Sequence, residues 1–167
     1  SRPPLGMSSR ELAGFRRGAW LRNEPGNSYS STRLERKIRE FYDLCGAGEI
    51  QEGQIWEAAM FANKYKLNNL IAFVDRNYLQ TDGYSEDIMP LDPLAPKWES
   101  FGWEVHKIDG HDLEQIILTV QAAQQSEKPV MIIAKTLKGK GVPFMENAAE
   151  WHGKPPSTSE YEIAIQT

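Results

Sequence analysis

The chain has 167 residues, 40% hydrophobic and 25% charged, with a net charge of −4. That suits one soluble globular domain with a sizeable core, and gives no reason to expect nucleic-acid binding or membrane attachment. One cysteine, Cys45, excludes an intrachain disulfide framework. With no apolar run long enough to span a bilayer and no signal-peptide core at the start, a cytoplasmic, reducing location is the expectation.

Residues 1–45 carry nine Lys/Arg against five Asp/Glu, and the Lys/Arg are almost all arginine; the remainder carries a net −8 and prefers lysine. Arg10 to Trp20 has helical character weakened by Gly14 and Gly18. Asn23 to Ser28 reads as a turn. Glu40 to Cys45 reads as a strand, although Asp43 is a costly residue in a buried one.

From Gly46 onward the pattern is clear. Gln54 to Lys66 is predicted helical, with Ile55, Ala58, Ala59, Ala62 and Tyr65 at three- and four-residue steps. Leu70 to Val74 is a continuous apolar run, as expected of a parallel strand buried on both faces. Tyr78 to Pro96 reads as a long polar loop punctuated by Gly83, Pro90, Pro93 and Pro96. Leu94 to Phe101 reads as a short helix and Trp103 to Ile108 as a strand. Asp112 is a plausible N-cap for a helix running to about Gln125. Pro129 opens a last strand, Val130 to Lys135, and Gly139, Gly141 and Pro143 then break the chain into loop. Alternating strands and helices predict an α/β fold, a parallel sheet with helices on both faces. Ligands of such sheets lie beyond the carboxyl ends of the strands.

Two motifs fall at those ends. The first is Gly46-Ala47-Gly48-Glu49-Ile50-Gln51-Glu52-Gly53, and the second is Asp75-Arg76-Asn77-Tyr78-Leu79-Gln80-Thr81-Asp82-Gly83. Glycines before a helix N-terminus allow backbone N–H groups to approach a phosphate closely. The side-chain carbonyl of Asn77 and the backbone carbonyl of Leu79 are hard oxygen donors of the kind magnesium or calcium takes. Each motif also has a plainer meaning. The glycines could only shape a strand-to-helix turn, and Asn77 could only make local backbone hydrogen bonds. His152 beside Trp151 could be a packed surface pair. His111 is expected to stabilise a turn, and His106, Trp56, Trp98 and Trp103 are expected to be structural.

With Trp56-Glu57-Ala58, Lys138-Gly139-Lys140-Gly141-Val142 and Trp151-His152-Gly153-Lys154-Pro155, the two motifs form five blocks in register. Residues 46 to about 161 resemble the N-terminal, thiamine-diphosphate-binding half of transketolase, whose members read GDGE-x-x-EG and then D-x-N-x-L-Q-x-DG. The resemblance implies a thiamine diphosphate cofactor with Mg2+ or Ca2+, the metal bound by Asn77 and the carbonyl of Leu79. It implies that Gly48 donates its N–H to the diphosphate and that His152 acts near diphosphate and sugar as the catalytic histidine. Glu52 matches a carboxylate linking the two cofactor sites of a dimer, and Leu5 a segment beside the aminopyrimidine. The implied reaction is two-carbon ketol transfer between sugar phosphates. The implied partner is a C-terminal, pyrimidine-domain subunit of a homo- or hetero-oligomer.

Three departures accompany the match. Ala47 stands where the family carries a metal-binding Asp, so water is expected in the gap and weakened cofactor binding with it. The chain starts late, with no histidine upstream of Gly46. The carboxylate that activates the aminopyrimidine belongs to the family's other domain, so the chain alone is expected to be inactive. Residues 1–45 match poorly and are set apart, as a degraded or partly disordered stretch, from a domain at 46–167. The alternative to an enzyme component is a non-catalytic transketolase relative that serves in an interaction or regulatory role.

Overall fold

The computed structural model describes residues 40–166. Its core is a four-stranded, wholly parallel sheet of order β1-β2-β6-β5, where β1 is Phe41–Gly46, β2 Leu70–Arg76, β5 Glu104–Asp109 and β6 Val130–Lys135. The two unbroken apolar runs form the two central strands, β2 and β6, because both faces of each are covered. Polar residues enter the edge strands, β1 and β5.

On one face, α1 (Gly53–Lys64) and α3 (Leu94–Ser100) pack Ile55, Ala58, Ala59, Ala62, Leu94, Ala95 and Trp98 against Ala72, Val74 and Met131. The alanine stripe of α1 lets its backbone lie close to the sheet. On the other face, α4 (Leu113–Ala123) packs Ile116, Val120 and Ala123 against Ile71, Ile108, Val130 and Ile132. Helices therefore cover both faces, as expected. Asp112 caps α4, its carboxylate accepting from the N–H groups of Glu114 and Gln115. Tyr42 and Leu44 of β1 and Leu113 and Ile117 of α4 remain exposed.

The segment expected as loop between Tyr78 and Pro96 holds more structure. Leu79–Gln80 (β3) and Gly83–Tyr84 (β4) form a two-residue antiparallel pair, and α2 (Ser85–Ile88) is a single turn. Both are too short for periodicity to reveal. A final helix, α5 (Thr158–Ala164), opens with a capping box between Ser157 and Glu160. The Ser-x-x-Glu spacing is the sequence signal that marks it. Residues 41–45 pair with β2, so they belong to the sheet. Leu5 and the helix expected at Arg10 to Trp20 lie outside the described residues.

Asp43 is 4% exposed in edge strand β1, where the Cys45 thiol donates to its Oδ2 at 3.0 Å. Burial pushes its carboxyl pKa up, against smaller lowering by Cys45 and the Leu44 backbone. A raised folded pKa means that the native state holds the proton longer than the unfolded chain does. Stability therefore falls as pH rises from the unfolded value, about 3.9, through the folded one. Asp43→Asn is expected to raise the melting temperature at pH 7, with a gain that shrinks as pH falls towards 4. Thermal melts across pH 4–8 check this; a gain independent of pH would refute it.

Candidate functional site

Both motifs sit at the carboxyl rim of the sheet, brought side by side by the register. Gly46 is the last residue of β1 and pairs with Asp75 of β2. The chain then turns through a short 3-10 segment, Glu49–Gln51, into α1. A β-carbon built on Gly48 would lie 3.6 Å from Cβ of Gln80. Gln51 fixes the junction, its Nε2 donating to Oε1 of Gln80 at 3.0 Å and to the carbonyl of Met89 at 2.9 Å. Gly48, Asn77 and Leu79 thus share one stretch of rim.

The glycines there are informative. Gly48 has φ −68°, which any residue adopts, and the φ of Gly46 is not left-handed either. Nothing lies within 4 Å of a β-carbon placed on Gly46. Gly139 is a contrast: its φ is 73°, and a β-carbon would meet the Met145 carbonyl at 2.4 Å. Gly139 is required by the fold, whereas Gly46 and Gly48 are required by nothing in the described residues. A rim kept bare of side chains suits a ligand that approaches the backbone.

Asn77 is held from both ends of its amide. Its Oδ1 accepts from the N–H of Leu79 at 2.8 Å and its Nδ2 donates to Oδ2 of Asp75 at 3.0 Å. The other oxygen of Asp75 accepts from the Thr136 hydroxyl at the end of the neighbouring strand. Asp75 therefore sets the amide's orientation and leaves Oδ1 one further lone pair. Tyr78 follows with φ 64°, a conformation that costs roughly 1–2 kcal/mol for a residue with a β-carbon. It is held between packing partners: the Arg76 guanidinium lies 4.0 Å from its ring centroid and Tyr84 stacks on it at 5.8 Å. The role of Asp75 escaped the sequence because its partners are two and sixty-one residues away.

Ala47 is 2% exposed and its methyl packs with Cys45 and Ile50 in the core cluster. Glu49, the nearest carboxylate along the chain, turns back so that its Oε2 accepts from the N–H of Gly46 at 3.3 Å. Burial is the main cause that raises its pKa, with Asp43 and Glu52 adding repulsion. Among the described residues no group of three or more His, Cys, Asp or Glu could hold a metal ion. Residue 47 therefore brings no side-chain oxygen to the rim beside Gly48 and Asn77.

His152 is exposed, with its Nδ1 3.4 Å from the Lys138 ammonium. The adjoining Trp151 ring packs on Phe144, donates its Nε1–H to the Phe144 carbonyl and receives Lys154 at 4.2 Å. The His111 ring ties its turn to the loop after β6: its Nε2 accepts from the N–H of Leu137 at 2.7 Å. His106 pairs with Glu104 at 2.8 Å. Trp98 and Trp103 are buried, with Trp56 packed against them.

The family model for the transketolase thiamine diphosphate-binding domain matches residues 22–166. The chain belongs to that family. One of its relatives, from the apulose-4-phosphate transketolase of Actinobacillus succinogenes, is 46% identical over 128 residues, covering 77% of this chain and 46% of that protein. The 6-deoxy-6-sulfo-D-fructose transketolase subunit SqwG of a Clostridium species is 46% identical over 136 residues, covering 81% and 50%. The chain spans about half the length of these curated relatives. Among solved structures, transketolase from Campylobacter jejuni superposes with a TM-score of 0.73 at 34% identity, over 77% of this chain and 20% of that one. The matched domain is a thiamine diphosphate-binding one, and the likeness holds for the parallel sheet and its flanking helices in this transketolase-family chain.

On the metal role that the resemblance implies for Asn77, Asp75 is a positioning residue. Asp75→Ala is expected to lower affinity for thiamine diphosphate by ~10–100-fold, the usual loss when a group behind a metal ligand is removed. Circular dichroism should show the fold retained. Unchanged affinity in a calorimetric titration would remove Asp75 from the site.

Proposed function

We propose that this chain supplies the diphosphate and metal half of a thiamine diphosphate site in a cytoplasmic, transketolase-type assembly that moves two-carbon ketol units between sugar phosphates. The observation that carries this reading is the rim itself. Gly46 and Gly48 are left bare without conformational need, next to an Asn77 amide fixed by Asp75 and Thr136.

When bound, thiamine diphosphate supplies the nucleophilic carbon that the protein's own side chains lack. The chain's residues bind and orient. The Gly48 N–H and the helix end beyond it face the diphosphate, and Asn77 Oδ1 with the Leu79 carbonyl faces Mg2+ or Ca2+. His152, next to Lys138, donates hydrogen bonds to diphosphate and sugar. Leu5 lies outside the described residues and its place beside the aminopyrimidine rests on the resemblance alone. Glu52, exposed at the start of α1, faces a second protomer.

The pyrimidine half comes from a separate C-terminal, pyrimidine-domain subunit. Both relatives above are named as single subunits of a transketolase, and the exposed Tyr42, Leu44, Leu113 and Ile117 give this chain apolar surface for association. Ala47 leaves the cation without an anionic protein ligand, so loading is weak. The test is a titration of thiamine diphosphate by calorimetry, with and without Mg2+. Saturable, Mg2+-dependent binding is expected. No binding at millimolar cofactor, alone or with the pyrimidine-domain partner, would overturn the reading in favour of a non-catalytic, interaction role.

A further inference from the structure

Tyr78 stands between Asn77 and Leu79, and its conformation has to be held. Its φ of 64° lies in the left-handed region, which a residue with a β-carbon enters only at a cost. Its carbonyl accepts from the N–H of Ser85 at 2.8 Å. Two partners grip its ring: the Arg76 guanidinium lies 4.0 Å from the centroid, and Tyr84 stacks at 5.8 Å with the planes 15° apart. We propose that Arg76 is a positioning residue of the cofactor site, a role that rests on the reading of Asn77 and Leu79 as metal ligands. Through the Tyr78 ring it holds the left-handed turn that keeps those two residues in place.

Arg76 acts through the chain because it is sealed from any ligand. It is 2% exposed, and its Nε and Nη1 are buried with no acceptor among the described residues. Its Nη2 donates to Glu86 and, at 3.1 Å, to Asp92. These contacts anchor it to the segment that follows the β3–β4 pair, where Glu86 also accepts from the N–H groups of Leu91 at 3.1 Å and Asp92 at 3.2 Å. What remains of the guanidinium is its flat face. A desolvated guanidinium over a phenol ring is attracted to it both electrostatically and by stacking. The consequence reaches the next residue. Leu79 donates its N–H to Asn77 Oδ1 at 2.8 Å, a bond that spans Tyr78 and so depends on its backbone angles. A tyrosine freed from its partners favours negative φ, whereas glycine has no such preference.

The experiment places Arg76→Lys and Tyr84→Ser in the full chain, each alone and each combined with Tyr78→Gly. Arg76→Lys keeps a charge for Glu86 and Asp92 but removes the planar face. Tyr84 is 45% exposed, so Tyr84→Ser tests the same hold at a position where folding is not at stake. In the cofactor-free protein each single substitution should speed hydrogen exchange at the Leu79 N–H, followed by NMR. Each should also lower affinity for thiamine diphosphate with Mg2+ by ~10-fold or more, as for other groups behind a metal ligand. Combined with Tyr78→Gly, neither should change exchange or affinity further, since glycine keeps a left-handed φ without support. Unchanged exchange at Leu79, single variants that bind as tightly as the wild type, or equal losses with and without Tyr78→Gly would each overturn the positioning role and leave the proposed site standing. A wild-type chain that binds no cofactor, alone or with the pyrimidine-domain partner, would overturn both.

Discussion

Ala47→Asp is expected to raise affinity for thiamine diphosphate in the presence of Mg2+ by about 100-fold or more, and to leave metal-free binding almost unchanged. In the site proposed above, the metal position takes two neutral oxygens from the chain, on Asn77 and Leu79. An aspartate at 47, one residue past the Gly46–Asp75 register pair, adds the anionic oxygen that a hard divalent cation prefers. Loss of groups merely behind a metal ligand costs ~10–100-fold, so restoring a direct ligand belongs at or above the top of that range. A hundredfold gain corresponds to about 2.7 kcal/mol.

The same substitution should destabilise the cofactor-free protein. Ala47 is 2% exposed among core residues, and two carboxyls close by along the chain, Asp43 and Glu49, are already pushed up in pKa by burial. A third acid there adds desolvation and repulsion, at a cost of roughly 1–3 kcal/mol. Because ligand binding stabilises only the folded state, Mg2+ with cofactor should recover that loss in a thermal melt. Ala47→Asn, which adds a neutral oxygen, should fall between the two. An aspartate variant that loses stability without gaining Mg2+-dependent affinity would show that residue 47 does not face the metal, and the two-motif rim would lose its functional meaning.

The parts of this molecule legible in the sequence are those whose physics is local in the chain. Leu70 to Val74 and Val130 to Lys135 stand out because a strand covered on both faces needs no polar alternation. The alanine stripe of α1 and the cap at Asp112 are readable for the same reason. β1 is ambiguous because Asp43 looks misplaced; on an edge strand, with the Cys45 thiol donating to it, it is tolerated. The β3–β4 pair carries too few residues for any period to register. At the site, the glycines and Asn77 stand out as residue types. What makes them informative does not: the absence of any left-handed φ at Gly46 and Gly48, and the link from Asn77 through Asp75 to Thr136.

Trp98 is where stability is expected to be most sensitive. It is fully buried on α3, 5.1 Å from the Trp56 ring and 5.0 Å from that of Trp103, and Trp56 in turn lies 5.7 Å from Phe101. This aromatic cluster ties α3 to α1, and the Trp103 Nε1–H donates to the Ala59 carbonyl at 2.9 Å to complete the link. Trp98→Ala removes the central ring and leaves a void the helices cannot close, so a loss of about 3–5 kcal/mol is expected in urea unfolding followed by circular dichroism. Trp98→Phe separates the ring's packing from its polar atom. The Trp98 Nε1–H is buried with no acceptor among the described residues, and relief of such a group offsets about 1–3 kcal/mol of the lost contact. The phenylalanine variant should therefore cost less than half as much as the alanine one. If the two substitutions cost the same, the indole N–H has a partner after all and the cluster holds α3 by a polar contact as well as by area. If both cost under about 1 kcal/mol, α3 is not docked through this cluster.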